Sequence, residues 1–225
     1  MNNEIKISIP TSWEDIKLKD FQRYYKIEEP TSNDMLEVFL GLNSNHIRTL
    51  EAGSVNELIQ SVSSVLSLPT EHLKLIHRVD NYGLIPNMDK MSYGEYLDLT
   101  EWLKDWDNMN MAMEVLYREV IEEKTNKKGL NQYLIEKYDT DKVDGIRGGE
   151  MTMDVVFSVV FFFQILTEQL LIHTPNYIKR EMETKEWGQQ QDLTENGEDT
   201  NRLLLLLQET LDESKKLHNF QFINA

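Results

Sequence analysis

Cysteine is absent from all 225 residues, which excludes disulfides, thiolate nucleophiles, zinc ribbons and iron–sulfur ligation and fits a reducing compartment. Basic residues are scarce: 23 Lys and Arg stand against 39 Asp and Glu, a formal net charge of −16. A chain this acidic repels a phosphate backbone instead of releasing its counterions, which argues against direct nucleic-acid binding. Met1, Asn2, Asn3 and Glu4 carry neither the basic flank nor the apolar stretch of a signal peptide, so export by that route is not expected. Long apolar runs are lacking too. The most apolar segment, Val155–Ile172, is broken by Ser158, Gln164, Thr167, Glu168 and Gln169, whereas a membrane span takes about 20 nearly unbroken apolar residues. That segment reads as a central core helix.

What is present is ordinary globular material, 40% hydrophobic and 28% charged, enough for a packed core in one domain with an appendage. The patterning predicts a mainly α fold with a minor β component, an N-terminal strand and a β-hairpin. Ile5, Ile7 and Ile9 alternate with Lys6 and Ser8 up to Pro10, as in a half-buried strand. Ser12-Trp13-Glu14-Asp15 opens a helix with Leu18, Phe21, Tyr24 and Tyr25 at helical spacing, and Trp13 is expected to close the core. A helix over 32–40 ends at Gly41, and another starts at Ser54, boxed with Glu57, and carries Leu58, Val62, Val65 and Leu66 before Pro69.

Residues 73–88, centred on Asp80-Asn81-Tyr82-Gly83, predict the hairpin, with Asn and Gly supplying the positive φ of a tight turn. Ser92 and Glu95 form a second capping box before Tyr96, Leu99, Trp102, Leu103 and Trp106. Asp98, Glu101, Asp105 and Asp107 read as a solvated acidic face. Asp107 is placed to cap the next helix, whose apolar face (Met109, Ala112, Met113, Leu116, Tyr117, Val120) continues towards Lys127-Lys128-Gly129. After a polar loop over 139–150, the core helix begins at Thr152 or Asp154. The expected organisation is a compact helical domain over 1–183, a polar linker over 184–201 containing Gln189-Gln190-Gln191, and a leucine-rich C-terminal helix over 202–217. Leu204, Leu207 and Leu211 share one stripe of that helix and are the candidate partner-binding residues.

No catalytic, cofactor-binding or metal-ligating residue emerges. His72 and His77 are five apart, not the i, i+4 of a helical zinc site, and all five histidines read as surface or core-edge side chains. Gly145, Gly148 and Gly149 are followed by no Lys-Ser or Lys-Thr, and dinucleotide fingerprints and nucleophile elbows are missing. Asp139 and Glu150 fall at positions one and twelve of a calcium loop, but Val143 and Asp144 remove a ligand and the obligatory turn glycine. The aromatic stripes, including Phe161-Phe162-Phe163, read as core packing, because stacking platforms for single strands come with basic grooves.

Ile9-Pro10-Thr11-Ser12-Trp13-Glu14-Asp15-Ile16 with Leu18 and Phe21, then Tyr93-Gly94-Glu95-Tyr96, Met113–Arg118 and the Val155–Phe163 run resemble, in order and spacing, tail-assembly or virion-associated proteins of tailed bacteriophages, including crAss-like phages. The resemblance covers residues about 5–172, and its motifs are packing motifs. Glu119 stands after Tyr117-Arg118 where the pattern has a proline. The resemblance implies a non-enzymatic, cofactor-free protein that binds tail, portal or capsid proteins during assembly, or is carried in the particle as a virion-associated or cargo protein. It places the chain in the host cytoplasm during assembly, or in the virion, and leaves homo-oligomerisation open. The alternative is a soluble enzyme whose site a single sequence does not display.

Overall fold

Ser12 and Asp15 fix the first turn: the Asp15 carboxylate accepts from the backbone N–H of Thr11 at 2.7 Å and of Ser12 at 3.2 Å, and Trp13–Asp15 winds as a short 3-10 helix. In the computed structural model, residues 7–70, 73–86, 91–125 and 131–163 are described. The chain divides into two units, the first made of Met1–Ser158 with Phe222–Ala225 and the second of Val159–Gln221.

In the first unit α1 (Leu18–Tyr25) brings Phe21 to a cluster of large rings. Trp13 lies 4.8 Å from Phe157 and 6.4 Å from Phe21, and Phe21 lies 5.1 Å from Trp106. All four are buried, Trp13 to 4% exposure. The edge-on contacts of Trp13 with Phe21 and Phe157 add to what burial of the ring area supplies. A second cluster joins α2 (Ser32–Leu40), α3 (Ser44–Thr49) and α4 (Ala52–Leu66) through Leu36, Leu42, Ile47 and Leu58. Thr31 and Asp34 box the start of α2, and Gly41, at φ 67, ends it in the left-handed region, as expected.

The sequence did not disclose α3, which Asn43 caps by accepting from the N–H groups of Asn45 and His46. With that turn in place, α4 starts at Ala52, so Ser54 lies inside its first turn and is not the cap. The expected N-terminal strand is also corrected. Residues 7–10 are in no ladder; Ile7 packs against the second cluster and Ile9 is 42% exposed. Ile7 and the buried Pro10 tie this segment to the core, and no strand pairs with it among the described residues. Residues 5 and 6 are outside the described set.

The minor β component is a four-stranded antiparallel sheet in the order β1 (Arg78–Val79), β2 (Tyr82–Leu84), β3 (Tyr117–Thr125), β4 (Asn131–Ile135). The hairpin falls where expected, on different chemistry: Asp80 takes the positive φ, 49°, and Gly83 lies within β2. A Cβ on Gly83 would sit 2.4 Å from the Tyr133 ring, so its bare backbone serves a close approach, not the turn.

α5 (Tyr93–Trp102) starts at the anticipated Ser92–Glu95 box. Asp105 caps the following 3-10 turn, Trp106–Asn108, and α6, Met109–Leu116, has Asn108 at its N-cap and not Asp107 as expected. The helix stops there, and β3 begins at Tyr117. The expected continuation towards Gly129 fails because Tyr117, Val120 and Ile121 suit a strand and ladders are available on both edges: β2 pairs with Tyr117–Glu119, and β4 with Val120–Thr125.

The loop 139–150 holds a 3-10 turn, Thr140–Lys142, and a short α7, Ile146–Gly149, reached through Gly145 at φ 75. Helical structure resumes at residue 153, within the range expected, and continues to 158. In the second unit, residues 159–163 are helical, and Phe161, Phe162 and Phe163 are half-buried, the last two with ring centroids 5.5 Å apart. The protein is thus mainly α with a minor β component. The 183/184 boundary, the linker over 184–201 and the helix over 202–217 lie outside the described residues.

Candidate protein-binding surface

Buried polar chemistry concentrates first beneath the loop 144–149. Glu114, 3% exposed on α6, accepts from the N–H of Gly148 at 2.9 Å and of Asp144 at 3.2 Å. Gln22 Nε2 donates to the Trp106 carbonyl at 2.6 Å and to Asn110 Oδ1 at 3.1 Å, and Asn110 Nδ2 donates to the Gly145 carbonyl at 3.0 Å. Arg147 stacks 4.7 Å over Tyr82. These groups bond mostly to backbone of the same chain and hold the glycine-rich loop on α6, a structural task.

The ends of the calcium-loop pattern are engaged elsewhere: Asp139 accepts from Asp141 N–H at 3.2 Å, and Glu150 pairs with Lys17 at 2.6 Å and with Lys19. Those two ammonium groups hold the Glu150 carboxyl below its ordinary range. Among the described residues no group of three or more His, Asp or Glu is placed to hold a metal ion. His46 is half-buried on α3 and His77 is exposed; His72, His173 and His218 are outside the described residues.

The second concentration lies under α5 and inverts it. Glu95, 6% exposed, uses Oε2 to accept from Ser92 N–H at 2.5 Å and Oε1 to pair with Arg118 on β3. Burial pushes the Glu95 carboxyl up, but the Ser92 bonds and the Arg118 charge outweigh it and leave the pKa lowered. One turn on, Asp98 accepts from the Tyr138 hydroxyl, and the Thr140 hydroxyl lies 3.4 Å from the same oxygen. Burial, with the bond to Asp98, pushes the Tyr138 phenol up to about 12. Arg118 lies 5.8 Å above the Tyr138 ring.

With its carboxylates at i and i+3 facing the protein, α5 turns its aromatic side to solvent: Tyr93 is 75%, Tyr96 53% and Leu97 45% exposed. The expectation that Tyr96 packs inwards and the acidic face outwards is corrected for Tyr96, which is exposed, and for Asp98, which is half-buried; Glu101, Asp105 and Asp107 are exposed as expected. The capping box flagged Glu95, but the sequence hid its partner, because Arg118 was expected on a helix. The spacing of Tyr93, Tyr96 and Leu97 at i, i+3 and i+4 could have flagged the stripe.

A smaller apolar pair lies on the sheet. The ladder shifts register between Val120 and Glu122, a bulge that sets Ile121 beside Glu122 opposite Leu134; Ile121 is 64% and Leu134 51% exposed. An open cleft at this edge is lined by Arg78, Asn81 and Glu119–Glu123. Arg78 pairs with Glu123 at 2.5 Å and stacks 5.5 Å over Tyr133. Leu204, Leu207 and Leu211, the candidates from sequence, are outside the described residues. Comparison with protein-family models, curated proteins and solved structures finds no match.

Proposed function

We propose that the protein is a non-enzymatic component of tailed-bacteriophage assembly that binds other virion proteins, with the outer face of α5 as a principal contact. The observation that carries the binding role is the inversion of α5: two carboxylates are turned inwards on Arg118 and Tyr138 while Tyr93, Tyr96 and Leu97 are left to solvent. Burying charge and exposing aromatic area are both unfavourable in an isolated domain. The arrangement makes sense where another protein covers the stripe, since Tyr is enriched at the centres of interfaces. The virion setting comes from the sequence resemblance over residues about 5–172. Its partners are tail, portal or capsid proteins, met in the host cytoplasm or within the particle. No helix among the described residues is long and apolar enough to cross a membrane.

The test is a photo-crosslinking amino acid at position 96, introduced into the phage-borne protein during infection, followed by mass spectrometry of assembly intermediates and purified particles. Crosslinks to tail, portal or capsid proteins are expected, and finding the chain in mature particles identifies it as a packaged component. Crosslinks only to host proteins, or a hydrolase activity lost on Tyr138→Phe, would overturn the proposal.

A further inference from the structure

We infer that the segment seated on the outer face of α5 is a basic amphipathic helix of a partner protein; this rests on the protein-binding reading above and names the chemistry of the partner. Tyr93, Tyr96 and Leu97 are exposed at i, i+3 and i+4 of one helix, the spacing with which a second helix lays its own apolar stripe alongside. The helix presenting them is held from beneath. The Ser92–Glu95 box fixes its start, Glu95 and Asp98 tie it to Arg118 and Tyr138, and Leu99 is 4% exposed. A rigid stripe loses little conformational freedom on binding.

Charge selects the partner. Glu101 is exposed on α5, and Asp139 and Asp141, also exposed, flank Thr140, whose hydroxyl is 3.4 Å from Asp98. Against them stand Lys104 and Lys137, in a chain of net charge −16. Exposed carboxylates on the Asp98 side of the apolar stripe favour lysine and arginine at that margin of the incoming helix and speed its encounter. A second copy of this chain fits poorly. Two such chains repel each other, and three side chains exposed over 75%, 53% and 45% of their surface, each of about 150–250 Å² or less when whole, fall short of the about 800 Å² per partner of a stable dimer.

The experiment titrates the full-length protein with a synthetic helical peptide of about 18 residues, leucine at i, i+3, i+4 and i+7 and lysine elsewhere. A scrambled peptide of identical charge and a glutamate-for-lysine version serve as comparisons. The amphipathic basic peptide is expected to bind at least about tenfold more tightly than either. Its binding should weaken at least about tenfold in the Tyr93→Ser/Leu97→Ser variant and stay unchanged in Ile121→Ser/Leu134→Ser, with both variants keeping the parent melting temperature. It should also weaken as ionic strength rises from about 0.05 to about 0.5 M.

Equal binding of the scrambled peptide would reduce the effect to net charge and overturn the inference. So would binding lost through the sheet variant alone, or sedimentation showing a dimer that Tyr93→Ser/Leu97→Ser dissolves. The two levels fail separately. Crosslinks from position 96 to virion proteins without peptide binding remove the basic helix and leave the function, whereas peptide binding without such crosslinks removes the virion role and leaves the surface.

Discussion

Glu95 and Arg118 form an ion pair whose side chains are only 7% and 10% exposed, joining the first turn of α5 to β3 across 23 positions of sequence. Taking two charges out of water costs more than their attraction returns unless the remaining polar atoms are also bonded. Glu95 meets that condition through Ser92 N–H, whereas Arg118 Nε is buried with no hydrogen-bond partner among the described residues. Removing one partner should therefore hurt more than removing both. Arg118→Met and Glu95→Gln are each expected to destabilise the protein by about 3–5 kcal/mol. The Glu95→Gln/Arg118→Met double variant should lose clearly less than the sum, as read from urea unfolding of the four proteins. Additive losses would show that the two groups do not interact.

The same pair sets an acid response. Because the folded-state pKa of Glu95 is lowered from its ordinary 4.5, the stability it contributes is fully present above that value and is lost as pH falls through the lower folded value. Asp15, Asp34, Glu136 and Glu150, also lowered, have the same sign but are largely exposed and count for less. Melting temperatures between pH 6 and about 3 should fall steeply for the parent and less steeply for Glu95→Gln, which starts lower. Parallel curves would assign the acid loss to other carboxylates.

Two glycines should respond in opposite directions. A Cβ on Gly148 would lie 1.9 Å from the carbonyl oxygen of Asn110, which is backbone and cannot swing away, whereas one on Gly53, inside α4, meets nothing within 4 Å. Gly148→Ala is expected to cost about 1–3 kcal/mol or more by forcing α7 off α6. Gly53→Ala should add about 0.4–1 kcal/mol by restricting the unfolded chain. Thermal unfolding of both variants decides; a neutral Gly148→Ala would mean that the loop 144–149 shifts freely.

Local chemistry was legible in the sequence, and non-local choices were not. Gly41, the Ser92–Glu95 box and the turn around Asp80 carry their signal within a few residues, and α2, α5 and the hairpin lie where those residues put them. The change from helix to strand at Leu116–Tyr117 left no local mark, since Met109, Ala112, Met113, Leu116, Tyr117 and Val120 keep a helical period across it. What decides is β2, more than thirty positions earlier in the chain, and β4 after it. The orientation of α5 is similar. Periodicity separates a carboxylate side from an aromatic side, but Arg118 and Tyr138, supplied by distant segments, determine which one turns inwards.

The two sides of α5 should therefore behave unlike their polarity. Leu99, 4% exposed, is the apolar anchor on the inner side, and Leu99→Ala should cost about 2–5 kcal/mol, through lost transfer energy and the cavity left behind. Tyr93 and Leu97 touch solvent over much of their surface, so Tyr93→Ser and Leu97→Ser should each change stability by no more than about 0.5 kcal/mol. A helix with conventional amphipathicity would give the opposite pattern, tolerating Glu95→Gln and suffering at its tyrosines. Urea midpoints for Leu99→Ala, Tyr93→Ser, Leu97→Ser and Glu95→Gln distinguish the two arrangements. Large losses at Tyr93 and Leu97 would mean that this face is covered within the free chain, and α5 would then no longer be a surface for another protein.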